Sequence, residues 1–237
     1  MQLFYAPELQ GDHYTLEEQE SKHIIRVLRM KPGDTISLTD GTGNLYTAKL
    51  INDDTRRCTV RIIDIKKEYG KRHYHIHLAV APTKNINRFE WFLEKATEIG
   101  IDEITPLICQ RSERKTVKPE RLIKVVTAAM KQSVKAYHPV LHEPKSFKDF
   151  LSNDHKGEKY IAYVEEGEHP SLKSLYSIGK QATILIGPEG DFSPEEVSMA
   201  IDNGYKTVSL GNSRLRTETA GVLACHTVAL LNNELEH

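Results

Sequence analysis

Residues 184–220 constrain this chain more than any other part of it. Ala182-Thr183-Ile184-Leu185-Ile186 is a short apolar run, partly β-branched, with the composition of a buried strand. It stops at Gly187-Pro188-Glu189-Gly190, where two glycines allow a sharp turn and a close approach of backbone to ligand. Ser193-Pro194-Glu195-Glu196 follows, with Ser at the N-cap, Pro at the first helical position and Glu at the third. That capping box predicts a helix that runs to Gly204. Thr207-Val208-Ser209-Leu210 then reads as a second short strand, again with a glycine, Gly211, behind it. Either turn alone is an ordinary strand-to-helix connection. Two of them, with Arg216 and Glu218 at the mouth of the next helix, predict the rim of a parallel sheet where a small ligand binds.

The chain before this stretch falls into two regimes. Residues 1 to about 70 read as mostly β, with strands at 35–39, 45–50 and 57–65 around the turn Asp40-Gly41-Thr42-Gly43. Residues 15–31 are the exception, where apolar positions between His23 and Met30 recur at helical spacing before Pro32-Gly33-Asp34. Several short strands at this spacing suggest a small barrel. The polar run Lys66-Lys67-Glu68-Tyr69-Gly70-Lys71-Arg72 marks the domain boundary, giving domains 1–70 and 71–237. Beyond it strands and helices alternate, the sign of an α/β fold with a parallel sheet.

In that second domain the first strand, 74–81, carries Tyr74, Ile76, Leu78 and Val80 on one face. Asn87 is placed to cap a helix over 88–99 that Gly100 closes, and its spacing puts Phe89, Trp91 and Phe92 in the core rather than against a base. A second strand covers 103–109, where Pro106 favours an end or an edge. A basic helix begins at Pro119, a third strand covers 159–164, and a largely apolar helix over 217–231 closes the chain, buried in the core or under a second subunit.

Composition bounds the class. Apolar residues at 39% and charged residues at 27% are globular values, and no apolar run approaches the ~20 residues of a membrane span. The start lacks the basic and apolar regions of a signal peptide, and Leu235-Glu236-His237 has the look of an expression-tag stub. Cys58, Cys109 and Cys225 lie far apart with no CxxC pair, which argues against zinc and against a disulfide framework and suits a reducing cytoplasm. His73, His75 and His77 alternate along one strand as a metal cluster would. Their place opposite the apolar face predicts solvent exposure instead, and no metal is expected. Net charge is only −1, yet residues 111–135 hold eight Lys or Arg against two acids, and Lys22, His23, Arg26, Arg29 and Lys31 form a second basic patch. Local excess of this kind lets a neutral protein hold a polyanion, although a single charge run is more often a solvated face.

The pattern excludes several nucleotide binders. The first strand of the α/β domain ends in Pro82-Thr83-Lys84-Asn85 without glycine, and no GxxxxGK[ST] loop occurs, so dinucleotide and ATP folds do not fit. Glycines after the last two strands instead resemble the SPOUT class of S-adenosylmethionine-dependent RNA methyltransferases. The resemblance is closest to the RsmE family, through Ile186-Gly187-Pro188-Glu189-Gly190-Asp191-Phe192-Ser193 and Leu210-Gly211-Asn212-Ser213-Arg214-Leu215-Arg216-Thr217-Glu218-Thr219-Ala220, and it extends over essentially the whole chain. Two departures stand out. The family more often has Gly at 191, and Gly-Arg where Val134-Lys135 follows Lys131-Gln132-Ser133.

That resemblance implies an N-terminal PUA-like RNA-binding β-barrel and a SPOUT domain with a C-terminal trefoil knot. It implies S-adenosylmethionine as cofactor, a cytoplasmic homodimer, and methylation of N3 of a uridine in 16S ribosomal RNA of the small subunit. Another RNA or atom, or a non-catalytic ribosome-binding module, are the alternatives. Backbone and side chains at Leu185, Ile186, Gly187, Pro188, Glu189, Gly190, Leu210, Gly211, Leu215, Thr219 and Ala220 would hold the cofactor. N3 must lose a proton to become a nucleophile, so a base or charge stabiliser is expected beside it. Arg216 is the candidate for the anion and Glu189 or Glu218 for the base, with Glu218 and Thr219 equally able to cap the helix. Lys22, Arg26, Arg29, Arg111, Arg114, Gln132 and Lys135 are the candidate RNA contacts.

Overall fold

The computed structural model describes residues 2–163 and 169–233; Val164 of the expected third strand and the tag-like 235–237 lie outside the described residues. Two compact units emerge, Met1–Lys71 with Thr127–His138, and Arg72–Val126 with Pro139–His237.

The first unit runs β1 (Leu3–Tyr5), β2 (His13–Thr15), α1 (Glu18–Lys22), β3 (Thr35–Thr39), β4 (Leu45–Leu50) and β5 (Thr59–Lys66). The mixed sheet has the order β1-β3-β4-β5-β2, with only β1 and β3 parallel. It is a half-barrel: the edge strands β1 and β2 are three residues each and do not pair with one another. Phe4, Ile24, Leu38, Ala48 and Val60 fill it, all at most 1% exposed. The helix expected through Met30 stops early. After α1 the chain widens into a π-helical turn over His23–Val27, closed by Leu28 N–H donating to the His23 carbonyl at 3.0 Å. The extra residue keeps Ile24 inside while Val27 turns out to 66% exposure, and Arg29 then leaves in a left-handed conformation (φ 57°). Residues 127–138 join this unit through backbone bonds from Gly43 to Ala136 and from His138 to Gly41, both 2.9 Å.

The second unit runs β6 (His75–Val80), α2 (Ile86–Ile99), β7 (Glu103–Ile108), α3 (Pro119–Gln132, shared with the first unit), β8 (Val140–Leu141), β9 (Lys145–Ser146), α4 (Phe147–Leu151), β10 (Glu158–Ala162), α5 (Leu172–Leu175), β11 (Gln181–Ile186), α6 (Pro194–Asp202), β12 (Lys206–Val208) and α7 (Thr217–Asn233). Its sheet has the order β12-β10-β11-β6-β7-β8, with β9 also on β7, and every pairing is parallel. Pro106 sits inside β7, at the gap between β8, which pairs Glu103 and Ile104, and β9, which pairs Leu107 and Ile108. The missing N–H therefore falls where no neighbour asks for it.

Both faces of this sheet are covered. Ile76, Leu78, Val80, Ile184 and Ile186 face α2 and α7, while Ala79, Ala81 and Leu185 pack with Phe147, Phe150 and Phe192 on the other side. The one-faced reading of β6 fails for that reason, since parallel sheets bury both sides. His77 is only 7% exposed, not solvated, and burial pushes its imidazole down to about 3. The α2 cap is Asn85, whose side chain accepts from Asn87 N–H at 3.1 Å, so the helix starts two residues earlier than expected. Phe89 and Phe92 are fully buried as expected, but Trp91 is 44% exposed, a quarter-turn off the stripe they form.

Candidate ligand site at the carboxyl rim of the parallel sheet

Four strands end in step: Ala162 pairs with both Ile186 and Val208, and Ile186 pairs with Val80. The turns that leave β6, β11 and β12 therefore start from one rim, the place where open parallel sheets bind ligands.

Side chains tie these turns together. Glu189 Oε1 accepts from the Lys84 backbone N–H at 2.9 Å, joining the turn after β11 to the turn after β6. Thr217 Oγ1 donates to the Gly187 carbonyl at 3.0 Å and hooks the start of α7 to the same turn. Arg111 donates to the carbonyls of Gly190 and Phe192 (2.9 and 3.2 Å), and Arg114 donates to those of Thr83 and Lys84 (3.0 and 2.7 Å). Below them lies the expected capping box: Ser193 Oγ accepts from Glu196 N–H at 3.2 Å and Glu196 Oε2 accepts from Ser193 N–H at 2.9 Å. Glu196 Oε1 accepts from Gln110 N–H as well, so this buried carboxylate holds two segments at once.

The local conformations explain the residue types. Gly187 is buried, and a Cβ there would stand 3.1 Å from Phe192 and 3.2 Å from the Asp191 carboxylate. Asp191 adopts φ 59°, the left-handed region that favours glycine, and offsets the strain by accepting from Phe192 N–H at 2.8 Å. Gly211 has φ 129°, and open space surrounds it. Ser209 Oγ holds that second turn, donating to the Gly211 carbonyl and accepting from its N–H at 3.1 Å each.

The candidate residues separate into groups. Leu185 and Ile186 point into the two cores, which leaves only their backbone to meet a ligand, while Leu210 and Ala220 are partly buried against the larger core. Glu218 is 7% exposed in the first turn of α7, with Arg88 Nε 3.8 Å from its carboxylate. Arg216 is exposed one residue before α7, and among the described residues its side chain has no hydrogen bond or ion pair. Glu189, exposed, is engaged by Lys84 N–H and acts as a brace. Of the candidate RNA contacts, Arg111 and Arg114 are turned onto backbone carbonyls at this rim. Lys22, Arg26 and Gln132 line a groove of about 860 Å³ in the first unit, across which Lys131 pairs with Glu20 at 2.6 Å. Arg29 is exposed outside that groove, and Lys135, also in the first unit, is partly buried. Sequence reading did not single out Arg88, Lys84 or Thr217; the helical position of Arg88, one turn along α2 from the rim, was the available signal.

Two glycine turns and the exposed Arg216 guanidinium meet at the rim where a parallel sheet binds ligands. The chain matches two family profiles, an RNA methyltransferase domain over residues 70–229 and an RNA methyltransferase PUA domain over 16–63. It is 31% identical to Ribosomal RNA small subunit methyltransferase E of Rickettsia conorii over 97% of this chain and 91% of that protein. Among solved structures it is similar to a probable rRNA-methyltransferase from Porphyromonas gingivalis (41% identity, 98% and 99% of the chains covered, TM-score 0.92). It is also similar to Ribosomal RNA small subunit methyltransferase E from Neisseria gonorrhoeae bound to S-adenosyl methionine (26% identity, 98% of both chains, TM-score 0.88).

Proposed function

Because this chain belongs to the ribosomal RNA small subunit methyltransferase E family, whose reaction is S-adenosylmethionine-dependent methylation of ribosomal RNA, we propose that it methylates N3 of a uridine in 16S RNA, with the cofactor seated in the turns after β11 and β12. One observation carries the site: the Thr217–Gly187 hydrogen bond, which clamps the start of α7 onto the first glycine turn and brings Arg216 and Glu218 to the same rim. S-adenosylmethionine supplies an electrophilic methyl on a sulfonium. The backbone of residues 185–190 and 210–215, together with Leu215, Thr219 and Ala220, would hold its adenosine and methionine portions.

The chain's own part is positioning, because displacement at a methyl carbon needs in-line approach more than covalent help. Arg216 meets the uracil oxygens or the flanking phosphate and stabilises the charge left when N3 loses its proton. Glu189 and Glu218 are the two candidate bases, the first engaged by the Lys84 N–H and the second beside Arg88. N3 lies on the pairing edge, so the uridine must be unpaired to react. Lys22, Arg26 and Gln132 contact the RNA along the groove of the half-barrel unit, with Arg29 and Lys135 as further phosphate contacts. The resemblance adds a trefoil knot; the return of α7 past the β11 turn to pack on α2 and β6 supports it. The protein works in the cytoplasm as a homodimer; Leu230, 47% exposed on α7, is one apolar side chain that a second copy could cover. No helix among the described residues is long and apolar enough to cross a membrane.

The test is methyl transfer from labelled S-adenosylmethionine to small subunits lacking the modification, followed by nucleoside mass spectrometry. The product expected is 3-methyluridine. Arg216→Ala should lower kcat at least tenfold with cofactor affinity nearly unchanged; full activity in that variant would remove Arg216 from the site.

A further inference from the structure

At the other end of the parallel sheet, beneath the amino ends of β6, β7 and β11, lies a cavity of about 440 Å³ lined by four of the chain's eleven histidines. We propose that it is a transition-metal site of the zinc class, with His77, Glu103 and His142 as the ligands. One nitrogen of each imidazole and one oxygen of the carboxylate all lie within 4.8 Å of one another. Glu103 Oε2 stands 2.6 Å from His142 Nε2 and 4.0 Å from His77 Nδ1. Ligand atoms on a tetrahedral zinc stand ~3.4 Å apart, from metal–ligand bonds of about 2.0–2.2 Å. Side-chain movements of less than about 1 Å would therefore complete the triangle. Two imidazoles and a carboxylate with a free fourth position suit zinc, cobalt or nickel rather than magnesium or calcium.

The surroundings are those of a built site. His77 is 7% exposed, and its Nε2 is 2.9 Å from the Thr105 hydroxyl; with that hydroxyl accepting the ring N–H, Nδ1 is the nitrogen offered to a cation beside the carboxylate. At 4.0 Å that pair is no hydrogen bond. A cation between Nδ1 and that oxygen would bond both. Glu103 is oriented by its other oxygen, 3.1 Å from His75 Nε2. The backbone N–H of His142 donates to the Ile104 carbonyl at 2.8 Å, which fixes the third ligand beside β7. Ligand-orienting partners of this kind accompany metal sites generally. His155 is stacked on Phe150 at 4.1 Å and has its Nε2 on the Phe150 carbonyl, so it belongs to the wall. The side chains of Glu103 and His142 remain about one-third exposed, which gives the ion a way in. The site lies at the sheet end opposite the turns that hold the cofactor. Its role is to tie β6, β7 and the segment after β8 together.

The experiment uses the purified full chain, stripped with EDTA and titrated with Co²⁺ and then Zn²⁺. One equivalent of Co²⁺ should give the visible absorption of a tetrahedral N/O site, and Zn²⁺ should displace it and raise the unfolding temperature. His142→Ala and Glu103→Gln should each weaken binding at least tenfold, and Thr105→Val, which alters only the partner of His77, about tenfold. His13→Ala, at an exposed histidine paired with Asp12, should change nothing. Absence of the Co²⁺ band, or affinity unaltered in Glu103→Gln and Thr105→Val, overturns the proposal. Anomalous diffraction at the zinc edge from wild-type crystals gives a check independent of any variant's folding. Zinc bonded to His77, Glu103 and His142 supports the site, and zinc elsewhere refutes it.

Discussion

Thr217→Val removes one hydroxyl and little else. Both residues are branched at Cβ and nearly equal in volume, so the helix start keeps its propensity and no cavity opens. What goes is the 3.0 Å bond to the Gly187 carbonyl, between a residue 5% exposed and a buried turn. A buried carbonyl left unpaired costs about 1–3 kcal/mol. The turn can relax toward solvent on its Glu189–Gly190 side, which is exposed, so the lower half of that range applies. If the hook sets the cofactor-ready turn, the loss appears as a smaller competent fraction, and about 1–1.5 kcal/mol becomes a five- to twelve-fold weaker affinity. Calorimetric titration with S-adenosylhomocysteine reads this directly, and a urea melt reads global stability alongside it. Thr217→Ser, which keeps the hydroxyl, should recover most of the affinity. Should Thr217→Val lose stability yet bind the ligand as tightly as wild type, the hook is only a fold contact and the site has been drawn around the wrong bond.

Three further substitutions or probes bear on the same physics. Val134 holds φ 55°, a conformation costly for a β-branched side chain, so Val134→Gly should raise stability by about 0.5–1 kcal/mol in thermal melts despite its lost packing near Leu3 and Leu45. Gly221→Ala sets two effects against each other: alanine favours the α7 helix by about 1 kcal/mol, but its Cβ would stand 2.7 Å from the Phe92 ring across the α2–α7 contact. Net destabilisation of about 1–2 kcal/mol is expected, and a stabilised variant would mean that Phe92 swings aside freely. Cys58, Cys109 and Cys225 are buried, and burial pushes the Cys58 and Cys109 thiols up, so Ellman's reagent should label none of them until denaturant unfolds the chain.

Much of the fold was legible because local chemistry and tertiary context agreed there. The capping box at Ser193–Glu196, the glycine stop at Gly100 and the alternating strands of the first unit appear as their residues dictate. Reading failed where tertiary context overrode pattern. In β6 the alternation of histidine with apolar residues mimics a half-exposed strand, yet α4 covers the second face and buries His77. Strands β8 and β9 are two residues each, and no period can be read from two residues. The π-turn at His23–Val27 keeps helical composition while shifting its phase, which a 3.6-residue count cannot register.

The two departures from the resembled family's pattern become intelligible together. Residues 191 and 134, where glycine was the commoner expectation, are both in the left-handed region here, at φ 59° and 55°. The backbone shape is thus kept while the residue that would make it easy is not. At Asp191 the side chain compensates locally, but at Val134 there is only partial burial to offset the strain. Charge counting alone does not say what each arginine holds. Arg111 and Arg114 look like phosphate ligands in a run of eight cations, yet each donates to two backbone carbonyls and holds a turn in place. A guanidinium spent on carbonyls still adds positive potential at the rim but offers fewer donors to a phosphate. Arg214 and Arg216, both exposed just before α7, have no such partner among the described residues, so what each arginine holds says more about this rim than where arginines are dense.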